Sequence, residues 1–245
     1  MEKLGNILSS AISTIPTTPT NIQRLEQPLS EKTERRLLTE REVTFIINNV
    51  IKIPERYSYA KKEDIEPSVW EAATKLFFYD YDLLGSIKKK EGLYITGKTG
   101  SGKTHLSVAL MRERIRKKKV NINFDVGYIS TTKTKWIPAI DLLLDIKEVF
   151  SGNQKVSERE IISRYSDYEP LYIDDLGSEK TTEWTLQTLY AIIDERYRSF
   201  SQTIITSNLP LAKLEGKLGD RIASRIAEMC EVIELKGKDR RITGE

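Results

Sequence analysis

A glycine-rich stretch over residues 97–104 has the residue types and spacing needed to bind a phosphate chain. It reads Gly-Lys-Thr-Gly-Ser-Gly-Lys-Thr and fits the pattern G-x-x-x-x-G-K-[ST]. Its glycines can take backbone conformations that other residues avoid, so successive N–H groups can converge on phosphate oxygens. We expect Lys103 to reach the β and γ phosphates of a nucleotide and the Thr104 hydroxyl to hold Mg²⁺. The predicted nucleotide-binding residues are Gly97, Thr99, Gly100, Ser101, Gly102, Lys103, Thr104 and His105.

Two adjacent carboxylates form a second candidate group. Asp174 and Asp175 end the apolar run 171–173, about seventy residues after the glycine-rich stretch. A strand that ends in two carboxylates is typical of the acidic motif that partners a phosphate loop. Alone it would indicate little, because strands commonly end in turn-forming aspartates. We predict that Asp174 holds Mg²⁺, directly or through water, and that Asp175 orients or deprotonates the attacking water. Glu179 could be a second general base, but we expect a surface carboxylate.

An asparagine follows a third apolar run. Asn208 comes directly after residues 203–207. In a parallel sheet the carboxyl ends of the strands share one edge, so Asn208 would lie near Asp174 and the glycine-rich stretch. Its amide could then hydrogen-bond the attacking water or a γ-phosphate oxygen. The alternative is an ordinary turn asparagine.

Two arginines lie four residues apart near the end of the chain. Arg221 and Arg225 would share one face of a helix. Arginines placed in this way can act as fingers that contact the γ-phosphate bound to a neighbouring subunit. The alternative is that they pair with Asp220 or Glu228 on a solvated face.

The elements around these residues alternate between strands and helices. The apolar run 93–95 precedes the glycine-rich stretch and an apolar pattern of helical period follows it, which favours a phosphate site over an ordinary turn. We predict an α/β P-loop domain with a parallel sheet flanked by helices and a short helical N-terminal extension. The other predicted helices are 34–49, 67–87, 141–150, 157–168 and 182–198, and the other predicted strands are 120–129 and 232–235.

Composition restricts the classes of protein to which the chain can belong. Of its 245 residues 39% are hydrophobic and 31% charged, and the formal net charge is +3. Because the overall field is weak, any contact with nucleic acid must come from a local patch. One cysteine, Cys230, and one histidine, His105, exclude an internal disulfide, a cysteine-bound zinc site and a histidine cluster. No apolar run reaches membrane-spanning length, so we expect a cytoplasmic protein without a membrane partner.

Taken in chain order, the motifs resemble those of the bacterial replicative helicase loaders, the DnaC and DnaI family of AAA+ ATPases. The resemblance rests on the glycine-rich stretch, Asp-Asp-Leu-Gly-Ser-Glu, Thr-Ser-Asn, Gly-Asp-Arg-x-x-x-Arg and Gly-Lys-Asp-Arg-Arg. It covers the chain from about Ile53 and implies an AAA+ fold without a helical lid. The roles it implies are Walker A for Lys103 and Thr104, Walker B for Asp174 and Asp175, sensor 1 for Asn208, and arginine finger for Arg225 with Arg221 as the alternative.

The same resemblance implies a function and a division of the chain. We expect residues 1–60 to form an N-terminal arm and partner-binding extension, and residues 61–245 to form the AAA+ ATPase domain. The domain would bind ATP and Mg²⁺, assemble head to tail into a homo-oligomeric ring or spiral, engage single-stranded DNA and deliver a replicative DNA helicase. Candidate DNA contacts are Lys133, Lys135 and Trp136.

Two departures from the family pattern and three rival functions accompany this prediction. Residues 1–53 contain no cysteine for the zinc site of DnaI-type loaders, and Asp175 stands where many AAA+ proteins have glutamate. The nearest rival is an IstB-like transposition helper ATPase that remodels duplex DNA for a transposase. A small-molecule P-loop kinase would explain neither Asn208 nor the arginine pair, and a switch that holds ATP without turnover is the third rival.

Overall fold

The computed structural model of the chain describes residues 35–77, 92–117, 119–121, 133–151 and 157–236. Outside the described residues lie residues 1–34 of the predicted N-terminal arm and extension, residues 78–87 of a predicted helix, most of the predicted strand 120–129 and the Gly-Lys-Asp-Arg-Arg motif. Among the described residues, no helix is both long enough and apolar enough to cross a membrane.

Seven strands in the described residues form two sheets. They are β1 (Arg35–Leu37), β2 (Gly92–Gly97), β3 (Lys119–Asn121), β4 (Lys135–Pro138), β5 (Leu171–Asp174), β6 (Thr203–Ser207) and β7 (Cys230–Leu235). The main sheet has the order β4, β5, β6, β2, β7, and each neighbouring pair is parallel, which confirms the predicted parallel sheet. Its strands therefore end along one edge, where the glycine-rich stretch, the two aspartates and Asn208 follow them. Strands β1 and β3 form a separate antiparallel pair.

The described residues also form helices, and three of these begin at a Ser or Thr whose side chain caps the helix. The helices are α1 (Glu40–Phe45), which continues as a π-helix over Ile46–Ile51, α2 (Glu55–Ser58), α3 (Pro67–Phe77), α4 (Lys103–Lys117), α5 (Ala139–Ser151), α6 (Glu158–Ser166), α7 (Glu183–Arg198), α8 (Leu211–Leu218) and α9 (Asp220–Met229). Thr39 and Glu42 form a capping box at the start of α1. The predicted start of this helix at residue 34 is wrong, because β1 occupies residues 35–37 and the cap lies at Thr39.

Two apolar clusters lie on the two faces of the main sheet. Leu93 and Ile95 of β2 belong to one cluster, and Tyr94, between them, belongs to the other. This alternation follows from the two-residue period of a strand and shows that the sheet is covered on both faces. The first cluster includes α4, and the second includes residues of α5, α6, α7, α8 and α9. The helices on both faces confirm the predicted layered architecture.

The described part of the N-terminal extension packs on α4. Val43, Ile46 and Ile47 are fully buried in the first apolar cluster. The buried Arg112 of α4 donates to the Glu40 carboxylate, to the Ser58 carbonyl and to Thr44. This segment therefore packs on the main domain, and the predicted domain boundary at residue 60 stays a prediction.

The edge strand β4 was not predicted, because its four residues lack a clear apolar period. Trp136 is only 6% exposed and belongs to the first apolar cluster. The prediction that Trp136 contacts DNA is therefore wrong, because a buried indole cannot stack on a base. Lys133 is exposed and Lys135 is partly buried, and their proposed DNA contacts stay predictions.

Gly92 is the first residue of β2, and the neighbouring strands β6 and β7 leave no room there for a side chain. A Cβ there would be 2.4 Å from the Thr203 carbonyl oxygen and 2.7 Å from Cys230 Sγ. We expect Gly92→Ala to lower the free energy of unfolding by about 1–3 kcal/mol, measured by urea denaturation, because the strands must move apart. The control is Gly216→Ala on α8, where a Cβ meets nothing within 4 Å. That change should be neutral or stabilising, and an equally destabilised control would contradict the explanation.

Candidate nucleotide and hydrolysis site

The glycine-rich stretch links the end of β2 to the first residue of α4. Gly100 and Gly102 have φ angles of 75° and 94°, which are left-handed conformations that favour glycine. Lys103 Nζ donates to the carbonyl oxygens of Gly97 and Lys98, both at 2.9 Å. The ammonium is therefore held over the loop, at the amino end of a helix whose free N–H groups favour an anion.

Two features of the loop fit a phosphate ligand. Lys103 is 7% exposed, so its positive charge is largely withdrawn from water. Ser101 Oγ is buried and has no hydrogen-bond partner among the described residues. A buried hydroxyl without a partner is destabilising, and a phosphate oxygen would satisfy it. Both features fit an anion in the loop, as the sequence predicts.

The Thr104 hydroxyl and the Asp174 carboxylate meet beside the loop. Thr104 Oγ1 lies 3.0 and 3.1 Å from the two carboxylate oxygens of Asp174. Burial raises the pKa of Asp174, while hydrogen bonds from Thr206 and Thr104 act in the opposite direction. An ionised carboxylate is therefore destabilised there and would gain from a cation.

The chemistry of these donors fits Mg²⁺. Hard cations prefer oxygen ligands, and Mg²⁺ is often held by one or two carboxylates together with nucleotide phosphates. No cluster of three or more His, Cys, Asp or Glu side chains that could hold a metal occurs in the described part of the chain. Thr104 and Asp174 are thus the residues that we assign to Mg²⁺, as a proposal.

Asp175 is fixed by two residues at the end of β6. Its φ angle is 56°, which is uncommon for a residue other than glycine. Asn208 Nδ2 donates to Asp175 Oδ1 at 2.7 Å, and the Asp175 N–H donates to Thr206 Oγ1 at 2.8 Å. The structure therefore brings Asn208 into contact with Asp175, as expected for parallel strands, and its role in hydrolysis stays a prediction.

The turn that carries Asn208 is anchored to β2. The Leu209 carbonyl accepts hydrogen bonds from the Tyr94 hydroxyl at 2.7 Å and from Thr96 Oγ1 at 2.8 Å. Burial raises the pKa of Tyr94 to about 12, so this hydroxyl keeps its proton and donates at neutral pH. The Asn208 amide is consequently positioned by the strand that also leads into the phosphate loop.

Glu179 is buried, which corrects the expectation of a surface carboxylate. It is 4% exposed, and its Oε2 accepts from the Gly177 N–H at 2.9 Å. Its other oxygen has no hydrogen-bond partner among the described residues, and burial raises the pKa of the carboxyl. Glu179 braces the loop that follows Asp175, and no periodic pattern in the sequence indicated this.

The two arginines of α9 differ in their surroundings. Arg225 Nε lies 2.5 Å from Asp194 Oδ1, and its Nη2 donates to the Tyr190 hydroxyl at 2.9 Å. Its guanidinium also stacks over the Tyr190 ring at 4.7 Å. Arg221 is exposed. The side-chain partners of Arg225 lie on α7, rather than at the alternatives Asp220 and Glu228.

His105 is not fully exposed to solvent, because its ring contacts another side chain. Its Nε2 lies 3.1 Å from Asp64 Oδ2, in a short turn before α3. This contact ties the first turn of α4 to the N-terminal part of the domain. The sequence also predicts that His105 and Thr99, which lies in the glycine-rich stretch, contact a nucleotide. These contacts stay predictions.

Comparison with known proteins places this site in a family. The profile of the family described as IstB-like ATP binding protein matches residues 23–244. The phage-like element PBSX protein XkdC of Bacillus subtilis (strain 168) is 25% identical over 216 residues, which is 85% of this chain and 73% of the relative. The replicative helicase loader DnaC of Buchnera aphidicola subsp. Baizongia pistaciae (strain Bp) is 28% identical over 139 residues, which is 57% of this chain and 51% of the loader. The match thus spans about half of that loader.

Solved structures share the fold. The crystal structure of the DnaC helicase loader superposes with a TM-score of 0.57 and 24% identity, covering 75% of this chain and 100% of that chain. The crystal structure of DnaI gives 0.56 and 22%, with 75% and 95% covered. The replication initiator DnaA bound to AMPPCP and single-stranded DNA gives 0.53 and 20%, with 76% and 51% covered. At these identities the likeness establishes the AAA+ P-loop fold.

Proposed function

The chain belongs to the family of IstB-like ATP-binding proteins, and we propose that within this family it acts as an ATP-dependent helicase loader. Its ATPase activity follows from the family. The loader would assemble head to tail, bind single-stranded DNA and deliver a replicative DNA helicase. The observation that carries the hydrolysis site is the meeting of Thr104, Asp174, Asp175 and Asn208 at one sheet edge.

We assign a step of hydrolysis to each of these residues, and their contacts support the assignment. Lys103 and the loop N–H groups would hold the β and γ phosphates of ATP. Thr104 and Asp174 would hold Mg²⁺, which neutralises charge on the phosphates when bound. Asp175 would accept a proton from the attacking water, and the Asn208 amide would keep Asp175 and that water oriented.

Assembly would complete the site. A finger that acts on a neighbour's γ-phosphate requires a head-to-tail contact between different faces, which generates a ring or an open spiral. Arg225 and Arg221 lie together on α9, away from the phosphate loop in sequence, and are the candidate fingers. Arg225 would have to exchange its contacts with Asp194 and Tyr190 for the phosphate. The loader would act in the cytoplasm, where replicative helicases work.

The proposed partners rest on relatives and on composition. Replicative helicase loaders are among the relatives of the chain. The DnaA neighbour is bound to single-stranded DNA in its solved structure. We assign the helicase contact to the extension over residues 1–60, and the DNA contact to exposed lysines such as Lys133. The net charge of +3 is consistent with a local rather than a global DNA-binding surface.

A transposition helper is the second candidate function. The matching family is described as IstB-like ATP binding protein. In addition, a protein of insertion sequence IS232 from Bacillus thuringiensis subsp. berliner is 25% identical to this chain over 184 residues. A helper of this kind would use the same ATP site and would remodel duplex DNA for a transposase. The two candidates therefore differ in the DNA that they bind, not in the hydrolysis site.

Hydrolysis at subunit contacts should make the ATPase rate depend on protein concentration. We expect the rate per subunit to rise with concentration and with single-stranded DNA, and Arg225→Ala to bind ATP while losing this rise. Asp194→Asn is the matched control, because it removes the negative charge that pairs with Arg225 and leaves the arginine. If Asp194→Asn loses the rise equally, Arg225 merely braces α9 against α7. A rate independent of concentration in the parent protein would argue against the assembled loader.

DNA preference and helicase delivery separate the two candidate functions. The ATP-bound protein should bind a fluorescent single-stranded oligonucleotide more tightly than the duplex of the same sequence. Fluorescence anisotropy at fixed salt measures both affinities. It should also increase the amount of replicative helicase, taken from the same genome, that is retained on closed circular single-stranded DNA. Preference for duplex DNA together with no helicase retention would support the transposition helper instead.

A further inference from the structure

Thr206 connects the two acidic residues at the end of β5. Its side chain is 2% exposed and lies on the neighbouring strand β6. Thr206 Oγ1 donates to Asp174 Oδ1 at 2.7 Å and accepts the Asp175 N–H at 2.8 Å. Its carbonyl oxygen accepts the Leu176 N–H at 2.8 Å. Thr206 therefore forms hydrogen bonds with three consecutive residues at the end of β5, namely Asp174, Asp175 and Leu176.

We propose that Thr206 is a positioning residue for ATP hydrolysis, because its hydroxyl sets the relative orientation of the Asp174 carboxylate and the Asp175 backbone. A hydroxyl has one proton to donate and lone pairs that accept. Donation to Asp174 and acceptance from Asp175 use both capacities at once. No residue without both a donor and an acceptor at this position can make both contacts.

The backbone of Asp175 needs this support. A left-handed φ is unfavourable for a residue with a Cβ, because the Cβ crowds the following carbonyl oxygen. The hydrogen bond to Thr206 holds the backbone of Asp175 in this conformation, and Asn208 holds its side chain from two residues further along the same strand. The end of β6 thus fixes both the main chain and the carboxylate of Asp175.

Thr206 differs from the other threonine that contacts Asp174. Thr104 lies on the phosphate loop, and we assign its hydroxyl to Mg²⁺. Thr206 lies on a central strand between β5 and β2, so it holds the carboxylate from the sheet side. Groups that orient a metal ligand in this way typically change activity or metal affinity by about 10- to 100-fold when they are removed.

The test compares two substitutions that differ in the hydroxyl. This inference rests on the ATP hydrolysis of the proposed function and not on the helicase or the DNA. Thr206→Val keeps the volume and removes the hydroxyl, and we expect kcat at saturating ATP and Mg²⁺ to fall by about 10- to 100-fold. Thr206→Ser keeps the hydroxyl and should restore kcat to within about threefold.

A second readout separates positioning from a purely structural role. Binding of a fluorescent, non-hydrolysable ATP analogue is titrated with Mg²⁺ and with EDTA. We expect Thr206→Val to keep the affinity and stoichiometry of the parent in EDTA and to lose most of the tightening that Mg²⁺ produces. The matched control is Thr188→Val, since Thr188 is 2% exposed and its hydroxyl has no hydrogen-bond partner among the described residues.

The outcomes are distinct. Unchanged kcat and unchanged tightening by Mg²⁺ in Thr206→Val overturn the inference, and so does a loss of binding stoichiometry that is equal in Mg²⁺ and EDTA. If the parent binds the analogue but does not hydrolyse ATP with DNA and helicase present, the proposed function fails, while the Mg²⁺ titration still decides the role of Thr206. If Thr206→Val does not fold, Thr206→Ala, which also lacks the hydroxyl, is judged by the same two readouts.

Discussion

Asp174→Asn is expected to abolish ATP hydrolysis and, without Mg²⁺, to make the protein more stable. Burial raises the pKa of Asp174, so the folded state is destabilised when this carboxylate is ionised. Asparagine keeps a carbonyl oxygen that can accept from Thr104 and Thr206, and it removes the charge. Hydrolysis should fall by about 10³-fold, because loss of the metal ligand removes several kcal/mol of charge stabilisation.

The effect on stability has a definite dependence on pH. The folded state keeps the Asp174 proton at pH values at which the unfolded chain has already lost it. The stability of the parent in EDTA should therefore fall as pH rises from the ordinary pKa of aspartate through the raised pKa of Asp174. Asp174→Asn should lack this part of the fall, so the gain in stability should be larger at pH 8 than at pH 4.

Thermal denaturation in EDTA, followed at several pH values, measures this difference. Asp141→Asn is a suitable control, because Asp141 is an exposed carboxylate in the first turn of α5. An Asp174→Asn protein that melts below the parent at pH 8 would show that the carboxylate is stabilised in its site. That result would contradict the role that we give to burial.

Arg196→Met is expected to cause the largest loss of stability of any single change considered. Arg196 has no exposed surface and binds the end of α6 to the start of β6. Its acceptors are the carbonyl oxygens of Tyr165, Ser166, Tyr168 and Gln202 and the hydroxyl of Thr203. Burial lowers the pKa of Arg196 to about 10, so the guanidinium is still charged at neutral pH.

The magnitude follows from the acceptors that methionine would leave behind. Methionine fills a similar volume but leaves these buried acceptors without a donor, and each unsatisfied buried acceptor costs about 1–3 kcal/mol, so we expect a total loss of about 3–5 kcal/mol. Arg196→Lys should recover only part of this, because an ammonium cannot match the planar fork of a guanidinium. Urea denaturation measures both changes. Arg198→Met is the control on the same helix, since Arg198 is exposed and forms only surface ion pairs.

The Arg196→Met substitution should lower stability without changing the affinity for nucleotide. It lies at the start of β6, whereas the hydrolysis site lies at the end of this strand. The fraction of Arg196→Met protein that remains folded should bind nucleotide with the affinity of the parent. A fall of less than about 1 kcal/mol, or a specific loss of nucleotide affinity, would show that the network does not act as described.

The chemistry of the site could be predicted from the sequence because it depends on local patterns. The phosphate loop requires glycines at fixed spacing between a strand and a helix, and this pattern is contained in residues 92–106. Asp174 and Asn208 follow apolar runs, and the rule that parallel strands end at one edge brings them together. The parallel sheet and most of the helices follow from the same periodicities, with the start of α1 as an exception.

The tertiary structure decided the contacts that join residues distant in sequence. Burial of Glu179 and Trp136, the interactions of Arg225 with α7, and the acceptors around Arg196 depend on which elements pack together. Thr206 was visible only as part of a Thr-Ser-Asn run, and its bridge between two aspartates requires β6 to lie beside β5 in one register. The sequence alone therefore determined the class of chemistry and the sheet edge that carries it. The hydrogen bonds and burial that orient this chemistry were decided by the fold, because they depend on distances between side chains and no local pattern encodes such distances.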